Sequence, residues 1–280
     1  MTHRLSQKLE KLTGLLHEMG AAVVAFSGGV DSALVLKVAY ASLGTHAVGV
    51  TAISPTFPAI ELDVSRRLAI EIGARHIILE TDQLQLDEFV RNDASRCYHC
   101  KTDLYRALGQ LRRELHIDTI VDGTNVDDLG DDRPGIRAAR EWGVRSPLLE
   151  ADVTKAEVRN LAKDLGLSNW DKPAAACLSS RIPRGTVITR DKLSRVEQAE
   201  AVLFREGFRQ FRVRDHGEIA RVELDDEGLA LVQDEKRRAR ISQRLKDTGF
   251  RFVTIDLEGY RAGGGNVRVR SGAEGERGTD

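Results

Sequence analysis

The chain has 280 residues, 41% of them hydrophobic, and its 42 Lys and Arg nearly balance its 43 Asp and Glu, for a formal net charge of −1. That length holds one large domain or two modest ones with a real apolar core, and the near-neutral charge argues against a general nucleic-acid coat. The sequence shows neither a basic-then-apolar leader nor an apolar run long enough to span a bilayer, so a cytoplasmic protein with no membrane partner is expected.

In chain order, Leu5, Leu9, Leu12, Leu15 and Leu16 recur at helical spacing. The apolar run AAVVAF (21–26) follows, bounded by Gly20 and by Ser-Gly-Gly, and predicts a buried parallel strand. SALVLKVAYASLG (32–44) predicts a helix, HAVGVTAIS (46–54) a strand, AIELDVSRRLAIEIG (59–73) a helix and ARHIILE (74–80) a third strand. KTDLYRALGQLRRELH (101–116) is again helical and IDTIVDG (117–123) is a fourth strand. TKAEVRNLAKDLG (154–166) predicts a helix with Thr154 and Glu157 spaced as a capping box. This alternation predicts an α/β fold, a doubly wound, mostly parallel sheet with helices on both faces, over residues 1–185.

After Gly185 the texture changes. FRQFRVRDHGEIARVELD (208–225) alternates like strands, QDEKRRARISQRLKDTG (233–249) is a charged helix and FRFVTIDL (250–257) is a strand, so 186–262 reads as a small α+β domain. Residues 263–280 are Gly-rich and charged and read as a disordered tail.

The strongest local signal is FSGGVDSALVLK, where the first strand gives way to a helix. Gly28 and Gly29 permit a tight turn whose backbone N–H groups face an anion, Ser27 and Ser32 add hydroxyls, and the helix N-terminus adds its orphan donors. Asp31 suits a divalent cation or a helix cap, and the plain alternative is that Asp31 or Ser32 only caps a helix. No Lys follows the glycines as in a Walker A loop, so the turn is better suited to a pyrophosphate leaving group. S-G-G-x-D-S after a first strand resembles the PP-loop ATP pyrophosphatases. The resemblance implies ATP, with Mg2+, cleaved between its α and β phosphates, and adenine held against the backbone of Thr51–Ile53.

Three cysteines suit reduced cytosolic thiols better than a disulfide framework. Cys177 lies in DKPAAACLSSRIPRG (171–185), a segment with two prolines that looks unfit for helix or strand. Lys172, Arg181 and Arg184 flank it and favour a thiolate that could attack an adenylated carboxyl. The alternative is an inert cysteine buried near Leu178. Cys97 and Cys100 form C-x-x-C in RCYHCK. Asp122, Asn125, Asp127 and Asp128 in DGTNVDDLGDDRPG fall at the end of the fourth strand, placed for Mg2+ or ribose, or else in a solvated acidic loop.

Together, RCYHCK, DGTNVDDLGDDRPG and ACLSSRIPRG resemble the LarE family of ATP-dependent sulfur transferases, which act in assembly of the nickel-pincer nucleotide cofactor, and the likeness extends through the smaller domain. The resemblance implies a small pyridinium nucleotide substrate, pyridinium-3,5-biscarboxylic acid mononucleotide, whose ring carboxylate is adenylated and attacked by Cys177. In the sacrificial version the C–S bond then breaks and leaves dehydroalanine. It further implies that Ser180 and Arg181 bind the nucleotide phosphate or stabilise charge. Arg212 and Arg214 resemble the family's phosphate-binding arginines, the alternative being a solvated strand edge.

The pair Cys97 and Cys100 departs from members with one cysteine. Three thiolates from two loops could hold a 4Fe-4S cluster that carries a free sulfide. Zinc with His99 or His216, or a redox pair, stays open beside it. Glu223 and Asp225 could bind a metal at a subunit contact of an expected homo-oligomer. The rival functions are a tRNA-thiolating enzyme, weakened by the near-neutral charge and the lack of a recognisable RNA-binding module, and an ammonia-using ligase that needs no cysteine.

Overall fold

The computed structural model describes residues 2–130, 134–173 and 176–261; the expected tail, 263–280, lies outside them. The chain divides into two compact units, Met1–Glu197 and Gln198–Asp280. The division falls inside a helix, whereas the change of sequence texture comes at Gly185.

The first unit contains α1 (His3–Glu18), β1 (Ala22–Ala25), α2 (Val30–Leu43), β2 (Ala47–Ile53), α3 (Ala59–Ile72) and β3 (Arg75–Glu80). The short α4 (Asp87–Val90), then α5 (Arg96–Glu114), β4 (Ile120–Val121), α6 (Pro134–Glu141), α7 (Pro147–Glu150) and α8 (Lys155–Asp164) follow, and α9 (Arg190–Arg205) holds the division. Its sheet is wholly parallel in the order β3-β2-β1-β4. Arg145 extends it, bridging Val121, with its N–H on the Ile120 carbonyl at 3.0 Å and its own carbonyl taking the Asp122 N–H at 3.0 Å.

Successive residues of a strand point to opposite faces, and β1 shows the consequence. Ala22 and Val24 join the core made by Leu12 and Leu16 of α1, Leu34 and Leu36 of α2, and Val158 and Leu161 of α8. Val23 instead joins Val48 and Val50 against Tyr105 and Leu108 of α5 and Ala138 and Ala139 of α6. Helices therefore cover both faces, which is why the central strands read as continuous apolar runs. Helix α2 is buried nearly all round, and its sequence has no polar stripe for that reason.

Because the chain steps from β1 to β2 to β3 and then returns to place β4 on the other side of β1, the sheet has a switch point between β1 and β4. In such sheets the crevice beyond the strand C-termini at that point receives ligands. The second unit pairs β5 (Phe211–His216) antiparallel with β6 (Ile219–Leu224), and β6 parallel with β7 (Phe252–Ile255). The helices α10 (Asp226–Leu231) and α11 (Glu235–Asp247) intervene, and the unit has its own core of Val213, Ala220, Val222, Leu245 and Phe250. No helix among the described residues is long and apolar enough to cross a membrane.

The start of α8 carries the full capping box: Thr154 Oγ1 accepts from the Glu157 N–H at 3.3 Å, and Glu157 Oε2 accepts from the Thr154 N–H at 2.9 Å. Lys8 of α1 reaches the same carboxylate at 2.8 Å, so the cap also joins α1 to α8. Thr154→Ala is expected to cost about 1 kcal/mol of stability, read as a lower urea midpoint by circular dichroism.

Candidate active site

The turn after β1 is built for backbone exposure. Gly28 has φ 73°, and a Cβ there would meet the backbone nitrogen, Cα and Cβ of Ser65 at 3.2 Å, so glycine is required on both counts. Ser32 Oγ donates to the Gly29 carbonyl at 3.1 Å and accepts from the Ser27 N–H at 3.2 Å, while the two serine hydroxyls stand 3.2 Å apart. The N-cap of α2 is Gly29, with no side chain capping it. Neither Asp31 nor Ser32 fills that position, and the positive end of the helix is left to the turn.

Asp31 is occupied. Lys155 Nζ lies 2.5 Å from its Oδ2, and Asn125 Nδ2 donates to its Oδ1 at 3.1 Å. Asp127 accepts the Lys155 N–H at 2.6 Å, and Asp128 accepts the Asn125 N–H at 3.1 Å. The acidic segment after β4 is thus a brace joining the starts of α2 and α8. Asp122, buried, holds the hydroxyls of Tyr105 at 3.1 Å, Thr124 at 2.9 Å and Ser146 at 2.8 Å. Among the described residues no three His, Cys, Asp or Glu side chains gather to hold a metal ion. With Asp31 committed to Lys155 and Asn125, a protein-built Mg2+ site does not fit this arrangement.

Two lysines that the sequence reading did not single out for this turn stand beside it. Lys155 is the first residue of α8. Lys172 reaches Glu61 at 2.5 Å and the Gly28 carbonyl at 3.4 Å, and Asn169 Nδ2 donates to the same carbonyl at 3.2 Å. At the end of β2, the buried Thr51 donates to the Phe26 carbonyl at 2.6 Å, and His76 Nε2 lies 2.8 Å from the same hydroxyl. The hydroxyl proton being spent on the carbonyl, Nε2 is the donor. Burial, helped by Arg66, pulls the His76 pKa below its ordinary value and favours the neutral ring. The Ile53 carbonyl receives the Thr81 N–H at 2.8 Å and its hydroxyl at 3.2 Å.

Cys177 is exposed, and it immediately precedes a short 3-10 turn, Leu178–Arg181, in a segment that looked unfit for helix. The Leu178 N–H donates to the Thr56 carbonyl at 2.9 Å, which ties the segment to the chain beyond β2. Arg181 is only 3% exposed, and its Nη1 donates to the carbonyls of Ala176 at 2.7 Å and Cys177 at 3.0 Å. Ser180 Oγ also donates to the Cys177 carbonyl, at 2.8 Å. Beneath lies an apolar cluster of Phe89, Leu178, Ile182, Ile188, Leu193 and Val196, with Cys100 packed against it.

The expectation that two loops supply the three thiols is corrected here: Cys97 and Cys100 sit in the first turns of helix α5, which starts at Arg96 rather than near Lys101. Helical spacing then separates them by nearly one turn on one face. Cys97 is exposed; burial pushes the Cys100 thiol up to about 12, and the neighbouring Cys177 acts in the same direction. Burial alone would pull the Lys101 ammonium down, but Tyr105 and Asp122 outweigh it and hold it above its ordinary value.

In the second unit, Arg212 and Arg214 share a face of β5. Arg214 grips both oxygens of Glu223, with Nε at 2.5 Å and Nη2 at 2.8 Å, and Arg221 joins at 2.9 Å. The Arg212 guanidinium lies 5.1 Å from the centre of the Tyr260 ring. Asp225 caps α10, accepting the Gly228 N–H at 2.8 Å.

Comparison with known proteins gives three relatives. An uncharacterised protein of Synechocystis sp. is 44% identical over 259 residues, 92% of this chain and 97% of its own. Pyridinium-3,5-bisthiocarboxylic acid mononucleotide synthase of Lactiplantibacillus plantarum is 40% identical over 262 residues, 92% of this chain and 94% of its own. An uncharacterised protein of Methanocaldococcus jannaschii is 32% identical over 259 residues, 91% of this chain and 98% of its own. No protein-family model matches the chain.

The tightest approach in the site is that of Gly123, where a Cβ would meet the backbone nitrogen of Ser32 at 2.8 Å. Gly123→Ala must displace one of two backbones. It is expected to cost about 1–3 kcal/mol of stability, the scale of an overpacked contact, read as a lower urea midpoint by circular dichroism.

Proposed function

Because the chain belongs to the LarE family of pyridinium-3,5-bisthiocarboxylic acid mononucleotide synthases, we propose that it is an ATP-dependent sulfur transferase acting on pyridinium-3,5-biscarboxylic acid mononucleotide. The observation that carries this reading is the 40% identity running over 92% of the chain. Local geometry supports it: Asn169 and Lys172 hold the Gly28 carbonyl of the phosphate turn. Cys177 follows Lys172 by five residues, a reach of at most about 17 Å.

In this reading a ring carboxylate oxygen attacks the α-phosphorus of ATP, and the bond to the β-phosphate breaks. Pyrophosphate departs into the turn of Ser27, Gly28, Gly29 and Ser32, whose N–H groups and hydroxyls receive the developing charge. Lys155 and Lys172, each paired with a carboxylate, Asp31 and Glu61, offer their remaining N–H donors beside the turn. Adenine lies by the end of β2 near Ile53, and Asn125, Asp127 and Asp128 act indirectly, by holding Asp31 and Lys155. The Cys177 thiolate attacks the activated carbon, and AMP leaves with the electron pair of the broken C–O bond. Loss of the Cys177 α-proton then forms the Cα–Cβ double bond as the Cβ–Sγ bond breaks. Sulfur stays on the product as a thiocarboxylate and dehydroalanine stays in the chain. Ser180 and Arg181 hold the Cys177 backbone and take the nearby charge, while in the second unit, taken by itself, Arg212 is the candidate anion ligand and Arg214 is committed to Glu223.

A second reading draws sulfide from a 4Fe-4S cluster on Cys97, Cys100 and Cys177. It is favoured by one observation, that Cys97 and Cys100 lie three residues apart on α5 and Cys100 packs against the apolar cluster that contains Leu178, the residue after Cys177. Such a cluster would supply exchangeable sulfide and spare the cysteine. Thiolates are the right donors, but among the described residues the three are not gathered into a ligand set.

Turnover with ATP and substrate is expected to lower the intact mass by that of one molecule of hydrogen sulfide, with dehydroalanine at position 177. Cys177→Ala should release pyrophosphate but form no thiolated product. Formation of a carboxamide from ammonia at full rate by that variant would favour the ammonia-using ligase instead. The cluster reading expects thiolated product at unchanged protein mass, with iron bound after anaerobic reconstitution; a colourless, iron-free protein contradicts it.

A further inference from the structure

Asn92, between α4 and α5, is fully buried and has φ 58°, a left-handed conformation that Asn tolerates better than most residues. Its Nδ2 donates to the carbonyls of Pro183 and Thr186, both at 2.9 Å, and of Ile182 at 3.4 Å. Its own carbonyl accepts the Gly185 N–H at 3.0 Å. Its Oδ1 accepts from Arg96 Nη1 at 2.5 Å, and the same nitrogen donates to the Ser179 carbonyl at 3.0 Å. Nearby, the Ile188 N–H donates to the Val90 carbonyl at 3.0 Å.

Apart from the Asn92–Arg96 bond itself, each of these hydrogen bonds runs to the segment that follows Cys177. Arg96 holds it two residues past the cysteine, and Asn92 holds the arm from 182 to 186. On the other side Leu178 is fixed to Thr56. Arg96 also stands at the first residue of α5, where a cation opposes the helix dipole. A buried cation in an unfavourable place needs a compensating task, and these hydrogen bonds are that task.

We propose that Asn92 and Arg96 are positioning residues for sulfur transfer, docking the Cys177 segment onto the helix that carries Cys97 and Cys100. This rests on the sulfur-transferase reading above. Because neither residue bonds to the phosphate turn, the clamp governs thiol delivery and leaves nucleotide cleavage alone.

The test uses the full-length chain and the variants Arg96→Ala, Arg96→Lys and Asn92→Asp. The aspartate keeps an acceptor for Arg96 but lacks the donor to the three carbonyls. Hydrogen exchange followed by peptide mass spectrometry, without substrate, should show amides of 178–188 exchanging about tenfold faster in Arg96→Ala and Asn92→Asp, with β1 and α2 unchanged. With ATP and the pyridinium nucleotide, thiolated product per pyrophosphate released should fall about 100-fold, the scale of a misplaced reacting group, and Arg96→Lys should recover part of both. Unchanged exchange overturns the docking. Faster exchange with an unchanged product ratio overturns the positioning role. Product and pyrophosphate falling together would make the clamp a general support and overturn it too. If the wild-type chain makes no thiolated product, the proposed function fails and the positioning role falls with it, while the exchange pattern still decides the docking.

Discussion

Strand β1 lies between β2 and β4, and this adjacency presses the turn after β1 against the turn after β4. The contact is backbone against backbone: a Cβ on Gly123 would stand 2.8 Å from the Ser32 nitrogen. From this point the polar groups of the crevice take their places. Asn125, two residues past Gly123, reaches Asp31; Asp31 holds Lys155; and Asp127 receives the first N–H of α8. A phosphate-binding turn works through donors already in position, since donors that must reorganise during reaction lose much of their electrostatic value. The short acidic segment supplies that rigidity and remains internally paired, which is why its carboxylates do not read as an open cation site.

A second convergence lies at the start of α5. One helical turn carries exposed Cys97, partly buried Cys100 and buried Arg96. Through Arg96 and Asn92 it holds the segment that presents Cys177, and the apolar cluster below packs Leu178 and Ile182 with Cys100. The Cys177 backbone is therefore well held, by Arg181, Ser180 and the Leu178–Thr56 bond, while its side chain stays exposed. A fixed backbone under an exposed thiol suits a nucleophile that must meet one carbon, and leaves nearby Cys100 as the protonated, packed member of the trio.

How much of this was legible in the sequence follows from the range of the interactions. Strands β1 to β3 and the glycine turn were readable because apolar runs and turn residues are local signals. The Thr154–Glu157 cap was readable for the same reason. Strand β4 has only two residues, Ile120 and Val121, and its partner Arg145 lies far along the chain, so its true extent was hidden. The start of α5 was misplaced because RCYHCK carries no apolar period; Arg96 is buried by contact with Ser179, which no window of neighbouring residues contains. Lys155 looks like an ordinary surface lysine, and Lys172 like a charged neighbour of Cys177, until the fold brings Asp31 and Glu61 to them. Arg214 is similar: its place on β5 was plain, but its bidentate pairing with Glu223 comes from strand register.

In the proposed reaction a substrate carboxylate displaces pyrophosphate from ATP in this crevice before sulfur arrives. Supplying the pyridinium substrate with 18O in its carboxylates and analysing the nucleotide products by mass spectrometry tests this directly. The account predicts AMP carrying one 18O atom and unlabelled pyrophosphate. Unlabelled AMP, or ADP with labelled phosphate, would contradict it.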